Sequence, residues 1–223
     1  MIVTALSTAH QDYLKTIWAM TEWDAEPVTS KALGAKLGQP PSTVSETVRR
    51  LTEHGLLRHA PYGTIELSEA GRAAAVQMVR RHRLLETFLV DYLDYAWDEV
   101  HDEAEILEHA VSDAFVERLD DRLGRPVRDP HGDPIPSRDG SVPGLGAVRL
   151  SERHDPATFV VARVSDADPD LLRHLTGLGV VLDSPLVLVE RRDFAGTLAV
   201  EIGGIATELG LRAAEAIWVL PAD

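Results

Sequence analysis

The chain contains no cysteine among its 223 residues. This absence excludes disulfide bonds, zinc–thiolate sites and cysteine-held iron–sulfur clusters. Long apolar stretches are also absent: nowhere do about 18 apolar residues follow one another, and the N-terminal sequence has neither a basic start nor an apolar run typical of a secretory signal. We therefore expect a soluble, cytoplasmic protein.

Positive charge is scarce, because 22 Lys and Arg residues face 36 Asp and Glu residues, for a net charge of -14. Such a balance argues at first against nucleic acid as a partner, since phosphate neutralisation supplies most non-specific affinity. The imbalance is uneven: residues 1–76 carry seven basic and eight acidic side chains, and residues 77–223 carry 15 and 28. The acidic part suits a state in which bound cations relieve carboxylate repulsion.

The N-terminal third has the pattern of a winged helix-turn-helix. Helical apolar spacing, interrupted by proline and glycine, predicts three helices at residues 8–23, 30–38 and 41–55. Thr29 or Ser30 can cap the second of them. Apolar residues alternate on both sides of residues 61–63, which predicts a small hairpin.

The remainder divides into a helical part and a β part. Two further helices are predicted, from Ser68 to about Asp94 and from Asp98 to about Leu123. Residues 125–147 are dense in Pro, Gly and Asp and are interpreted as an extended arm and linker. Beyond them, strand-like runs at 157–164, 185–191, 197–204 and 214–220 predict a small SH3-like barrel. The predicted fold is mainly α with a small β C-terminal domain, divided into domains 1–74, 75–143 and 144–223.

Metal-capable side chains concentrate in the two central helices. His82 and Glu86 lie four residues apart, and a second group follows the offsets i, i+4, i+7 and i+8, which place side chains on one helical face. This second group is His101, Glu105, Glu108 and His109. Imidazoles and carboxylates without sulfur suit a divalent first-row metal such as Mn(II) or Fe(II).

Other interpretations of these residues remain open. His82 and Glu86 alone are also compatible with a surface pair, and the 101–109 stretch with a solvated acidic face. The order Glu105, Glu108, His109 superficially resembles the inverted zinc-protease motif, but glutamate replaces its first histidine and no general base stands out. We therefore predict no catalytic residue and no enzyme; a winged-helix regulator that responds to a small organic ligand is the other alternative.

The chain resembles the diphtheria toxin repressor family of metal-dependent repressors along nearly its whole length. The resemblance is carried by the segments DYLKTIW, PSTVSETVRRLTEHGLL, LSEAGR, RHRLLETFL, HDEAEILEHAVSD and DPHGDPIP. It implies a homodimer that binds palindromic operator DNA when loaded with metal and represses metal-uptake genes. It also implies a C-terminal SH3-like, FeoA-like domain.

The resemblance further implies two metal sites. The primary site would comprise Asp12, Glu105, Glu108 and His109. The second would comprise His82, Glu86, His101 and an acid of the third domain, for which Asp168 is preferred over Asp170. Carboxylates replace the sulfur ligands of iron-responsive relatives at Asp12 and Glu105, which favours Mn(II) over Fe(II) and similarity to the manganese-responsive branch.

Two departures from the family pattern limit this transfer. Lys15 stands where two-domain manganese regulators carry a carboxylate, so a closely spaced second ion is disfavoured there. Leu171 stands where iron sensors of three domains carry a glutamine ligand.

The third predicted helix has the composition of a recognition helix, because small donors and acceptors stand at its N-terminal end. Glu46 is the candidate for reading a base, by accepting from cytosine N4. Further DNA-contacting candidates are Lys31, Lys36, Pro41, Ser42, Thr43, Ser45, Arg49, Arg50 and Arg58. The other histidines are expected to be ordinary surface residues: His10, His54, His59, His131, His154 and His174.

Overall fold

The computed structural model describes residues 6–23, 27–59 and 63–222. The chain divides into two compact units, each built from several segments. Unit 1 comprises Met1–His82, Ile106–Arg118 and Pro136–Val142, and unit 2 comprises Arg83–Glu105, Leu119–Ile135 and Pro143–Asp223. Within the described residues, no helix is both long and apolar enough to cross a membrane.

Unit 1 contains the predicted winged helix-turn-helix. Its elements are α1 (Thr8–Glu22), α2 (Ser30–Leu37), α3 (Pro41–Glu53), β1 (Leu57–His59) and β2 (Ile65–Leu67), and the two strands pair antiparallel. Thr29, not Ser30, caps α2 by accepting from the backbone N–H of Ala32, and Gly38 ends it in the left-handed conformation. Residues 60–62 of the predicted hairpin lie outside the described residues.

The core of unit 1 holds α1 against the other two helices of this domain. Tyr13 and Ile17 of α1, Leu33 of α2, and Val44 and Leu51 of α3 are all at most 1% exposed. These residues recur at helical spacing, so each helix has one buried face and one exposed face. The buried face of α1 fixes the direction in which its polar residues project.

One long helix and two short ones follow the hairpin: α4 (Glu69–Leu93), α5 (Val100–Leu107) and α6 (Asp113–Arg122). The single predicted helix from Asp98 to Leu123 is therefore wrong, because the chain turns at residues 108–112. The Ser112 hydroxyl caps α6 by accepting from the N–H of Phe115. The buried guanidinium of Arg81 reaches the carbonyls of Glu108 and Val111, which the interrupted helix leaves without helical donors.

Unit 2 contains a six-stranded antiparallel sheet. Its strands are β3 (Val148–Arg149), β4 (Ala157–Val164), β5 (Pro185–Arg192), β6 (Thr197–Ile202), β7 (Ile205–Gly210) and β8 (Ile217–Pro221), in the order β3-β8-β4-β5-β6-β7. Two short helices, α7 (Pro169–Gly177) and α8 (Leu211–Glu215), and a 3-10 turn at Leu150–Glu152 complete the domain. The four predicted strands correspond to β4, β5, β6 and β8, but residues 214–215 of the last predicted run belong to α8. Strands β3 and β7 are additional, and their short or largely exposed sequences lack a clear apolar alternation.

The segment interpreted as an arm and linker is in part buried structure. Residues 131–135 are all buried, and His131 is fully buried, so the expectation of a surface histidine at that position is wrong. The N–H of Val164 in β4 donates to the carbonyl of His131, and the carboxylate of Asp133 accepts from Arg83 and Arg163. These bonds attach the segment to the sheet, which explains why a run of Pro, Gly and Asp is ordered here.

Candidate metal centre and nucleic-acid interface

Three metal-capable side chains of unit 1 converge between α1 and the turn after α5. Asp12 of α1 places Oδ1 2.9 Å from Nε2 of His109, and the same nitrogen lies 3.6 Å from Oε1 of Glu108. Glu108 is fully buried, and Asp12 and His109 are partly buried. We call Asp12, Glu108 and His109 the first cluster.

The donor set of the first cluster fits a divalent ion. Ligand atoms of a six-coordinate ion bound at about 2.1 Å stand about 3 Å apart at right angles. The separation between Asp12 and His109 is 2.9 Å, and that between His109 and Glu108 is 3.6 Å. One imidazole and two carboxylates, without sulfur, are borderline-to-hard donors. The turn at residues 108–112 helps to form the cluster. Because the chain leaves the direction of α5 there, Glu108 and His109 can approach Asp12.

Two basic side chains face the far side of Glu108. Oε2 of Glu108 lies 2.7 Å from Nζ of Lys15 and 2.6 Å from Nδ1 of His82. Lys15 also donates to Oε1, and its ammonium stands 3.1 Å from Nδ1 of His82. His82, predicted with the second site, therefore contacts the glutamate of the first cluster.

A second group of candidate ligands lies within unit 2. Glu86 of α4, His101 of α5 and Asp166 after β4 bring one ligand atom each within 4.8 Å of one another. Nδ1 of His101 lies 3.4 Å from Oε1 of Glu86 and 3.2 Å from Oδ2 of Asp166. Burial would lower the pKa of His101, but its contacts with Asp166 and Glu86 raise it to about 10. Although burial alone would raise the pKa of Asp166, the nearby imidazoles lower it.

The third-domain acid beside this group is Asp166, where the sequence favoured Asp168 or Asp170. Asp168 is the N-cap of α7: it accepts from the N–H groups of Asp170 and Leu171 and pairs with Arg212 at 2.6 Å. Asp170 is exposed and pairs with Arg173. The sequence contains a signal that excludes Asp168: an aspartate followed by proline at the start of a helix is a typical N-cap, whose side chain accepts from backbone N–H groups. With Asp168 occupied in this way, Asp166 is the other nearby acid to consider.

Asp129 and His131, which sequence reasoning did not select, also lie beside Glu86. One ligand atom from each of these three buried residues lies within 4.8 Å of the others. Nδ1 of His131 stands 3.9 Å from Oε1 of Glu86, while Nε2 is 2.6 Å from the carbonyl oxygen of Trp97. Burial, followed by repulsion from Asp133 and Glu86, raises the pKa of Asp129 well above its usual range.

We call Glu86, His101, Asp129, His131 and Asp166 the second cluster. Closely placed buried carboxylates repel one another unless a proton or a cation intervenes, so the composition fits a divalent ion. Glu105, predicted for the primary site, places Oε1 3.6 Å from Nε2 of His101 within unit 2.

The predicted recognition helix, α3, presents the expected polar residues to solvent. Pro41, Ser42, Thr43 and Ser45 are exposed at its N-terminal end, as are Lys31, Lys36 and Arg58 elsewhere in the domain. Glu46 accepts from Arg49 at 2.8 Å and from Arg50 at 2.7 Å. These hydrogen bonds lower the pKa of Glu46 to about 2. Two basic side chains of this face, Arg49 and Arg50, are therefore paired with an acid of the same helix.

Family models match three successive parts of the chain. They are described as the iron-dependent repressor N-terminal DNA-binding domain at residues 5–65, the iron-dependent repressor metal-binding and dimerisation domain at 68–137, and the FeoA domain at 148–221. Together these matches follow the predicted order of a winged helix, a helical domain and a small β domain.

Individual proteins are similar over most of the chain. A solved structure described as a manganese-dependent transcriptional repressor in complex with manganese is 52% identical, with a TM-score of 0.92, and the match covers 96% of this chain and 100% of that one. The iron-dependent repressor IdeR of Mycobacterium tuberculosis is 39% identical over 181 residues, 76% of this chain and 78% of its own length. The diphtheria toxin repressor of Corynebacterium diphtheriae is 35% identical over 189 residues, 80% of this chain and 83% of its own.

Proposed function

Because this chain belongs to the family of iron-dependent and diphtheria toxin repressors, we propose that it is a metal-activated transcriptional repressor that responds to Mn(II) in preference to Fe(II). In this proposal a homodimer binds palindromic operator DNA and controls genes of metal uptake and homeostasis. The protein is a regulator and not an enzyme. The observation that carries the proposal is the first cluster, in which a residue of the DNA-binding domain meets two residues of the turn after α5.

The first cluster supports metal activation because it joins two parts of unit 1. Asp12 belongs to α1, whose opposite face packs in the core with α2 and α3, and Glu108 and His109 belong to the turn held by Arg81. A bound divalent ion supplies a cross-link between oxygen and imidazole donors. These residues thereby fix α1, and with it the recognition helix, relative to the 108–112 turn. A two-fold operator requires recognition helices about 34 Å apart, so fixing their position lowers the ordering cost of DNA binding.

The preference for manganese rests on ligand chemistry. The first cluster offers two carboxylates and one imidazole, and the second offers three carboxylates and two imidazoles. Oxygen donors suit Mn(II), whereas thiolate and thioether donors favour softer ions. We propose that a second ion binds at Glu86, His101 and Asp166 of the second cluster, with Asp129 and His131 grouped beside the same Glu86.

The experiment is DNA binding measured by fluorescence anisotropy on promoter fragments of metal-transport genes. Mn(II), Fe(II) under anaerobic conditions, Zn(II) and no metal are compared. We expect Mn(II) to tighten DNA binding by about 5- to 150-fold, the usual range of allosteric coupling, and DNA to tighten Mn(II) binding by the same factor. Equal Mn(II) affinity with and without operator DNA contradicts the proposal.

Asp12→Asn is the matching variant, because it removes one carboxylate charge of the first cluster while retaining side-chain size. Glu69→Gln is its control, since Glu69 is an exposed acid in the first turn of α4. We expect Asp12→Asn to fold and dimerise normally but to lose Mn(II)-dependent DNA binding, and Glu69→Gln to retain it. Full activation of Asp12→Asn removes the first cluster from the mechanism.

A further inference from the structure

Gln11 lies beside the imidazole of the first cluster, on the side away from Asp12. Its Oε1 is 2.7 Å from Nδ1 of His109, and its side chain is buried, with the residue only 5% exposed. The other ring nitrogen, Nε2, is the atom that approaches Asp12 and Glu108. The two nitrogens of His109 therefore face two different kinds of partner.

The orientation of the Gln11 amide is fixed by a second contact. Its Nε2 donates to the carbonyl oxygen of Leu6 at 3.1 Å, and a carbonyl can only accept. The amide oxygen must therefore be the atom that faces His109. Because that oxygen is also only an acceptor, Nδ1 of His109 is the nitrogen that carries the proton in this contact.

We propose that Gln11 is a positioning residue for the metal ligand His109. By accepting from Nδ1–H, Gln11 holds the imidazole in the tautomer whose Nε2 lone pair points toward Asp12 and Glu108, and it fixes the ring plane. This inference rests on the proposed metal binding by the first cluster. It gives Gln11 a role at the first cluster that neither the spacing of the ligands nor the similarity to the family indicates.

The physical basis is that a ligating imidazole gains from a hydrogen-bond acceptor on its other nitrogen. Such an acceptor selects the tautomer, restricts rotation of the ring and raises the basicity of the ligating nitrogen, and its loss typically lowers metal affinity 10- to 100-fold. Asp12 and Gln11 are neighbours on α1, so the same helix supplies both one ligand and the residue that orients another.

The test compares Gln11→Leu, which removes the acceptor at similar volume, with Gln11→Glu, which retains an acceptor at the same position. Mn(II) affinity is measured by calorimetry. We expect Gln11→Leu to bind Mn(II) at the first cluster 10- to 100-fold more weakly than wild type, and Gln11→Glu to stay within about threefold of wild type or to bind more tightly. Gln39→Leu is the control, because Gln39 also bonds to α1, through the hydroxyl of Tyr13, but does not touch His109.

A second readout reports the tautomer directly. In Zn(II)-loaded protein, which is diamagnetic, nitrogen–proton NMR of labelled histidine should show a His109 ring proton on Nδ1 that is protected from exchange with water. We expect the proton to remain on Nδ1 but to lose its protection in Gln11→Leu, and to stay protected in Gln11→Glu. The His109 signal is assigned with His109→Gln.

Three results overturn the inference: a ring proton on Nε2 in loaded wild type, unchanged Mn(II) affinity in Gln11→Leu, or an equal loss of affinity in Gln39→Leu. If Gln11→Leu does not fold, the ring proton of wild type and of Gln11→Glu decides. Failure of the proposed metal binding by the first cluster gives a different result from failure of this inference. In that case Asp12→Asn and wild type bind the same amount of Mn(II).

Discussion

The ammonium of Lys15 contacts both carboxylate oxygens of Glu108, at 2.9 Å and 2.7 Å, although the glutamate side chain is fully buried. A buried carboxylate needs a compensating charge, and Lys15 of α1 provides it. Lys15 follows Asp12 by three residues and so lies near it on the same helical face. The ammonium of Lys15 therefore lies directly beside the buried glutamate of the first cluster.

We expect Lys15→Met to destabilise the metal-free protein by about 3–5 kcal/mol, the usual cost of removing one partner from a buried ion pair. Urea denaturation in the presence of a chelator measures this change, with Lys36→Met as the control because Lys36 is exposed. Mn(II) should raise the melting temperature of Lys15→Met more than that of wild type, since the ion then replaces the lost charge. An unchanged midpoint in urea contradicts a stabilising role for this pair.

Glu46→Gln should increase the affinity of the protein for non-specific DNA. The substitution releases Arg49 and Arg50 from the carboxylate and removes a negative charge from the surface of α3. More phosphate contacts steepen the dependence of binding on salt, by about 0.9 in the log–log slope for each added contact. Anisotropy titrations between low and moderate salt on unrelated DNA test this, with Glu69→Gln as the reference; identical slopes for both variants refute it.

Gly132→Ala should unfold the 129–135 segment locally or destabilise unit 2. Gly132 has a positive φ of 90°, and a Cβ there meets the carbonyl oxygen of Ala162 in β4 at 2.2 Å. Backbone strain of this kind costs about 1–3 kcal/mol even before the steric clash is counted. Chemical denaturation and Mn(II) content at the second cluster are the measurements. Gly144→Ala is the matched control, because a Cβ at that position meets no atom within 4 Å.

The stability of the metal-free protein should decrease as the pH rises from about 6.5 to about 10. The pKa of His101 is raised to about 10 in the folded chain by Asp166 and Glu86, against an ordinary value of 6.5. A raised pKa means that the folded state binds the proton more tightly, so this contribution is complete below pH 6.5 and is lost as the pH passes through about 10. The melting temperatures of wild type and of His101→Gln are measured in the presence of a chelator across this pH interval. If the two melting temperatures fall in parallel as the pH rises, His101 does not cause the loss of stability.

Local chemistry in the sequence determined most of the helices and strands. Thr29, Gly38 and Pro41 are capping and terminating residues, and their effect on α2 and α3 does not depend on distant contacts. The four C-terminal strands could also be predicted from the sequence, because a short apolar run is a local property. Residue types alone also indicated oxygen and imidazole ligands, since no cysteine is available.

Only the tertiary structure decided which of these residues meet. Helical spacing put His101, Glu105, Glu108 and His109 on one face, but Ser112 and Arg81 interrupt the helix and turn the last two toward Asp12. The burial of the segment from Asp129 to Ile135 depends on its docking against β4, for example through the contact of Asp133 with Arg163, 30 residues further along the chain. Sequence spacing fixes the direction of side chains within one helix or strand, whereas each candidate cluster combines side chains from several elements, and packing of the core brings those elements together.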